Sequence, residues 1–356
     1  MRSGSFWETA SRSRPCICAK PATSWPPPAL QLPRVLPHRR NRSERSAAVT
    51  EHLYILGHPI AHSKSPVMYN AVYERAGLPW HYGTADLATR TEAEAFLATR
   101  DFLSINITTP YKPEAFAAAD VRAASASLAH GANVLVNKGG ALIAYNTDGQ
   151  GCVAYLEGAG VSFAGKSVVV CGTGPTALSI LHAVAQAGPA DVLLLGRDKE
   201  RAHRVMRTYA DELGAMIGRT VDMPAFKEGH LSFAEVYRQV DFRFGSYDTS
   251  RQAIAGADII IDATPLGMNE GDGAPFDVAL LRADQTVFDV VYGHGETALA
   301  AATRATGCTF FDGAGMLVGQ AVVTVGILRD ITETAALDIP EDELFAIMAD
   351  AAGFDL

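Results

Sequence analysis

Three short segments of this chain bring together a lysine, a carboxylate and several amide and hydroxyl groups. They are Asn106-Ile107-Thr108-Thr109-Pro110-Tyr111-Lys112, Asn146-Thr147-Asp148-Gly149-Gln150-Gly151, and the glycine-rich turn Gly172-Thr173-Gly174-Pro175-Thr176-Ala177. A lysine ammonium paired with a carboxylate can give a proton to a developing alkoxide or take one from an alcohol. Alone, a lysine on a loop is a solvated surface charge. Asn106, Thr108 and Asp148 supply the context that makes Lys112 a candidate for chemistry. Burial would lower the lysine pKa and the carboxylate would raise it, so the balance stays open at this level. The combination is the equipment of hydride transfer on a small polyhydroxylated molecule.

The turn follows a strand-like apolar run, Val168-Val169-Val170-Cys171, and opens a helical stretch. In that setting Gly-x-Gly-x-x-Ala reads as a dinucleotide site. Gly172 permits the tight turn, Gly174 lets a pyrophosphate approach the backbone, and Ala177 lets helix and strand pack closely. The helix N-terminus supplies free N–H groups and partial positive charge, and Pro175, without an N–H, is tolerated at the helix start. The bland alternative is an ordinary strand–helix turn. The next strand ends at Gly196-Arg197-Asp198-Lys199-Glu200-Arg201. Arg197 and Arg201 suit a 2′-phosphate, whereas Asp198 suits the free ribose hydroxyls of NAD. A solvated helix start would explain any one of them.

His62-Ser63-Lys64-Ser65-Pro66 puts two hydroxyls at alternate positions on a loop leaving a strand. Such a pair can orient a carboxylate. Ser65 before Pro66 also fits a helix N-cap with proline at the first helical position. His62 reads as structural.

The elements that must position these groups follow from apolar patterning. Leu53 to Gly57 and Ala141 to Tyr145 read as strands, the second delivering Asn146, Thr147 and Asp148. After Gly165, buried strands at Val168–Cys171, Val192–Leu195, Ala257–Asp262 and Thr286–Val291 alternate with helix-length intervals. This βαβ rhythm predicts an α/β protein containing a Rossmann-type, doubly wound parallel sheet. The stretch 215–250 is longer than a connection needs and reads as an insertion carrying Phe226, Phe233, Tyr237, Phe242, Phe244 and Tyr247. Residues from about Gly313 onward read as helices.

The chain has 356 residues, 48% hydrophobic, with a formal net charge of −9. That length fits two domains. The acidic balance argues against a nucleic-acid partner. No uninterrupted apolar run approaches about 18 residues, so no membrane span is expected. Five cysteines without CxxC spacing fit a reducing compartment and no metal site. The first fifty residues carry nine Lys or Arg against Glu8 and Glu44, a local charge of +7, with Pro26-Pro27-Pro28 and no apolar periodicity. They read as a disordered or leader extension, with organelle import as the sharper alternative to a cytoplasmic location.

The strings GHPIAHSKSP, INITTPYK, ANVLV, YNTDGQG, CGTGPTA, DATPLGM, FDVVYGHGET and DGAGMLVGQA occur in an order that resembles the shikimate dehydrogenase family across about residues 53–330. The resemblance implies reversible reduction of 3-dehydroshikimate to shikimate with NADP, or NAD as the alternative. It implies a substrate-binding α/β domain over 51–150, completed by 313–356, and a Rossmann cofactor domain over 151–312. Lys112 and Asp148 would be the catalytic pair. Ser63 and Ser65 would hold the substrate carboxylate, Asn106, Thr108 and Asn133 the ring hydroxyls, and Tyr292 and Gln320 would close the site. Gly172 to Ala177, Arg197, Asp198, Arg201, Thr264, Met268 and Gly313 would meet the cofactor. Val134 stands where the family usually has threonine, Thr173 and Pro175 depart from its usual turn, and Gly196-Arg197-Asp198 replaces its usual Asn-Arg-Thr. A monomer or homodimer is expected. The rival readings are a quinate/shikimate dehydrogenase using NAD, and a non-catalytic metabolite sensor of the same fold.

Overall fold

The computed structural model describes residues 51–216, 230–232 and 240–356. The expected leader and Phe226, Phe233 and Tyr237 lie outside them. The first half runs β1 (His52–Gly57), α1 (Ser65–Arg75), β2 (His81–Asp86), α2 (Arg90–Thr99), β3 (Ser104–Ile107), α3 (Lys112–Ala118), β4 (Val121–Arg122), α4 (Ala124–Ala129), β5 (Val134–Lys138), β6 (Ala141–Tyr145) and α5 (Asp148–Gly158). Its six strands pair in the order β2-β1-β3-β5-β6-β4, with β5 antiparallel to both neighbours. That reversal returns Asn133, at the start of β5, beside the end of β3, where Ile107 donates to its carbonyl at 2.7 Å.

The second half runs β7 (Ser167–Cys171), α6 (Pro175–Gln186), β8 (Asp191–Gly196), α7 (Lys199–Met216), β9 (His230–Ser232), β10 (Asp241–Ser246), α8 (Arg251–Gly256), β11 (Ile259–Asp262), β12 (Thr286–Asp289), α9 (Ala298–Thr306) and β13 (Thr309–Phe311). Then come α10 (Ala314–Thr332) and α11 (Glu341–Ala352). The sheet order is β13-β12-β11-β7-β8-β10-β9, all parallel except the edge strand β9. Counted from β7, this is the doubly wound dinucleotide-binding order, with its switch point between β7 and β11. Val168 and Val170 point to one side among α5, α6 and α7, and Val169 and Cys171 to the other beneath α8 and α9. Both faces are buried, which is why these strands are apolar without alternation.

Two expectations need correction. Part of the supposed insertion is a sheet strand: β10 pairs in parallel with β8, and Phe242 and Phe244 are core residues. Its alternate positions Asp241, Arg243 and Gly245 interrupt the apolar pattern, and Arg243 is ion-paired with Asp191 on β8. The other correction concerns Ser65, which lies inside the first turn of α1; Lys64 occupies the N-cap position, and the Ser65 N–H is met by the Ser63 hydroxyl at 3.3 Å. The capping that sequence placed there occurs instead at α2, where Thr89 and Glu92 form a reciprocal box.

α10 is long and apolar enough to cross a membrane, yet 61% of its apolar window is buried inside the protein. It packs on α5 at very short range. A Cβ on Gly151 would lie 2.2 Å from the Gln320 nitrogen, and one on Gly319 would lie 2.5 Å from the Gly151 carbonyl. Only glycine at both places allows that crossing.

Candidate active site

Asp148 is the first residue of α5 and is 5% exposed. A helix N-terminus favours a negative charge there. The Lys112 ammonium, at the start of α3, bonds its Oδ2 directly. The Thr176 hydroxyl donates to the same oxygen at 2.9 Å and lies 2.9 Å from Lys112 Nζ. Asn133 Nδ2 donates to Oδ1 at 2.7 Å. Asn146 Oδ1 receives the Asp148 N–H at 3.1 Å, and its Nδ2 donates to the Gly131 carbonyl at 2.9 Å, which fixes the loop entering α5. The lysine side chain is 16% exposed and the carboxylate 7%, so the pair opens to solvent on the lysine side.

Behind this pair lies a polar layer. Asn133 Oδ1 accepts from the Thr147 N–H at 2.9 Å, and its Nδ2 also reaches the Thr147 hydroxyl at 2.9 Å. Both ends of that amide are thus engaged in holding the Thr147–Asp148 turn. Gln320, from α10, brings Oε1 to 3.4 Å from the Thr147 hydroxyl, and Thr324, one helical turn on, lies 3.4 Å from that hydroxyl. The Thr324 hydroxyl donates to the Gln320 carbonyl at 2.8 Å. Lys112, Asp148, Asn133 and Gln320 therefore converge from four elements.

Ser63 and Ser65 sit together at the entry to α1, Ser65 being buried. Asn106 is buried on β3; its Oδ1 accepts from the Tyr82 hydroxyl at 2.9 Å, and its Nδ2 has no full hydrogen bond among the described residues. Thr108 receives the Tyr111 N–H on its carbonyl at 3.0 Å, and its own N–H donates to Leu56, so its backbone joins the loop to β1. Tyr292 packs edge-on against Phe354 and lines a cleft with Glu296, Arg304, Cys308 and Asp312 rather than joining the hydrogen-bonded cluster. Burial raises its phenol pKa.

In the glycine-rich turn, Gly172 has φ +115°, and a Cβ there would lie 2.9 Å from the Ala263 carbonyl. A Cβ on Gly174 would meet nothing within 4 Å. Open space thus fronts the N-terminus of α6, a helix of 12 residues, and a diphosphate fits that setting. Thr173 lies against Gly196, and Arg197, Asp198 and Arg201 are exposed at the adjoining end of β8. Asp198 Oδ1 accepts the Glu200 N–H at 2.9 Å, so its carboxylate caps α7. Thr264 follows β11, Met268 is 39% exposed, and Gly313 is the N-cap of α10, with the Val290 carbonyl 2.0 Å from where a Cβ would be.

Sequence reading missed the Thr176 hydroxyl as a partner of Lys112 and Asp148, having placed that residue only in the turn. It missed Thr324 although the i+4 spacing from Gln320 puts both on one helix face. Tyr82 gave no signal in sequence.

Residues 55–135 match the model for the shikimate dehydrogenase substrate binding domain. Shikimate dehydrogenase (NADP(+)) of Symbiobacterium thermophilum is 34% identical over 272 residues, 75% of this chain and 85% of the relative. The protein of the same name from Rubrobacter xylanophilus is 33% identical over 273 residues, 75% and 87% respectively. Among solved structures, shikimate dehydrogenase from Aquifex aeolicus superposes with a TM-score of 0.67 at 22% identity, covering 85% of this chain and 97% of that one. Quinate dehydrogenase from Corynebacterium glutamicum in complex with NAD gives 0.65 at 26%, covering 85% and 99%.

Proposed function

Since the chain belongs to the shikimate dehydrogenase family, we propose that it catalyses the NADP-dependent, reversible reduction of 3-dehydroshikimate to shikimate. The observation that carries this reading is the Lys112–Asp148 pair, desolvated on the carboxylate side and adjoining the dinucleotide turn through Thr176. A metabolite sensor would need the fold and not a proton-transfer pair.

NADPH, when bound, supplies the hydride that reduces the ketone carbon. Lys112 gives its proton to the ketone oxygen as that oxygen becomes an alcohol, and takes it back in the oxidative direction. Asp148 keeps the lysine oriented until then, and Asn133 and the start of α5 keep Asp148 in place. Ser63 and Ser65 hold the substrate carboxylate, Asn106 and Thr108 face the ring hydroxyls, and Tyr292 and Gln320 bound the site from later in the chain. Arg197 and Arg201 would take the 2′-phosphate by charge-assisted hydrogen bonds. The engagement of Asp198 with the Glu200 N–H supports this choice, because a capping carboxylate is less free to serve as a ribose ligand.

Initial rates with shikimate and quinate, each against NADP and NAD, test the reading. Quinate carries an extra hydroxyl, and a site with no partner for it loses about 1–3 kcal/mol. Shikimate with NADP is expected to give the highest kcat/KM, at least ~10-fold above quinate. Equal or better efficiency with quinate and NAD would move the protein to the quinate/shikimate branch.

A further inference from the structure

His62 and His294 come from opposite halves of the chain and meet at the surface, their ring centroids 5.7 Å apart and their planes at 75°. His62 stands on the loop from β1 to α1, directly before Ser63. His294 stands on the loop from β12 to α9, just past Tyr292. Neither imidazole makes a hydrogen bond or a close ion pair among the described residues, so this is a contact of ring on ring. The two loops are fixed differently. The His294 loop is tied at both ends to one carboxylate: Asp289 accepts from the Val291 N–H at 3.0 Å and from the Thr297 hydroxyl at 2.9 Å. Gly293 and Gly295 flank the histidine with φ +73° and +84°. A Cβ on either would meet nothing within 4 Å, so glycine serves the backbone turn there rather than making room. The clamp and the two left-handed residues set position 294 opposite His62. In the other loop, the His58 N–H donates to the Thr109 carbonyl at 3.3 Å, which joins that loop to the one leading to Lys112. The Ile60 carbonyl accepts the Ser63 N–H at 2.9 Å, making Ala61 and His62 the exposed tip of a turn. The Ser63 hydroxyl, next along, accepts the Ser65 N–H at 3.3 Å.

Resting on the function proposed above, we infer that His294 is a positioning residue for substrate binding: through His62 it braces the turn that carries Ser63, and with it the Ser63 and Ser65 hydroxyls. Without the brace the tip of that turn stands free, and binding of the substrate carboxylate must order it first. His294 acts through His62 and contacts no reacting atom. An edge-on aromatic contact is a modest interaction, so its loss is read as a few-fold to tenfold change in affinity.

The test is a double-mutant cycle across the two rings. Both side chains are exposed, so replacing them leaves the core intact. His294→Ala is expected to raise KM for shikimate ~3–10-fold, with kcat and KM for NADP within ~2-fold of the parent. In a His62→Ala background the same change should add nothing. His294→Phe keeps an edge-on ring and should restore the parental KM. An unchanged shikimate KM in His294→Ala, an equal effect with and without His62, or failure of phenylalanine to rescue would overturn the inference. Failure of the parent to turn over shikimate would strike the functional reading instead. The brace is then judged by the imidazole C–H resonances of His62, which carry the ring-current shift of the neighbouring ring and should move in His294→Ala; unmoved resonances would reject it.

Discussion

Asp148 draws donors from three separate elements, and removing one leaves the other two in place. Lys112→Ala should therefore leave the carboxylate positioned by Asn133 and Thr176. What it removes is the proton donor. The expected result is a fall in kcat of ~10²–10⁴-fold with a much smaller change in KM. Steady-state rates at saturating substrate check it, and near-normal turnover would take Lys112 out of the mechanism. A second pair of acids behaves differently. Asp262 and Asp289 end adjacent strands in register and face the same side of the sheet. Asp289 has donors on both oxygens, from the Val291 N–H and the Thr297 hydroxyl, whereas Asp262 Oδ2 has none among the described residues. Burial, and then the charge of Asp289, push the Asp262 carboxyl up to about 7. The folded state thus holds this proton more tightly than the unfolded chain. Its stabilising effect is complete below the ordinary carboxyl range and is lost as pH rises through about 7. Asp262→Asn mimics the protonated form, so it should melt with the parent at pH ~4 and above it at pH ~8, by up to roughly 4 kcal/mol. The same difference at both pH values would show that Asp262 is already ionised in the parent.

Helices α5 and α10 owe their close crossing to paired glycines, and that crossing places Asp148 and Gln320 in one site. Gly319→Ala would drive a methyl into the Gly151 carbonyl, with no flexible side chain to yield. Overpacking of this kind costs about 1–3 kcal/mol. Urea denaturation should show that loss, together with reduced activity as Gln320 is displaced; parental stability would mean the helices can separate at little cost. The crossing also marks a boundary of what sequence could tell. Val168 to Cys171 and Ile259 to Ile261 were legible as buried strands because both faces of the sheet are covered and every position is apolar. β10 was not, because Asp241 and Arg243 interrupt its apolar pattern, and the ion pair of Arg243 with Asp191 on β8 depends on a strand far away in sequence. Lys112 and Asp148 were legible because their segments match a known pattern. The Thr176 hydroxyl and the Tyr82–Asn106 contact were not, since each depends on which elements pack together rather than on local spacing.

The chain passes from the first sheet to the second through α5 and comes back through α10, which packs on α5 and β5. The candidate site is assembled from residues on both legs of that path. Shikimate and NADP together should therefore protect the described fold as one cooperative unit. Ligand at 100 times its dissociation constant contributes ~2.7 kcal/mol, which is about 4 °C for a chain of this size. Calorimetry should show a single endotherm moving upward, and a shift in only one of two separate transitions would contradict it. The Thr176 hydroxyl gives this arrangement a further consequence. It bonds both Lys112 and Asp148, yet it belongs to the second residue of α6, the helix whose N-terminus is proposed to meet the cofactor diphosphate. A shift of that helix start on cofactor binding would act on Lys112 through this hydroxyl, and the expected outcome is that the two ligands bind with linked affinities. Thermodynamic reciprocity then fixes the form of the dependence: the factor by which NADP alters shikimate affinity must equal the factor by which shikimate alters NADP affinity. Thr176→Val, which keeps the shape and deletes the hydroxyl, should bring both factors toward one in paired titration calorimetry.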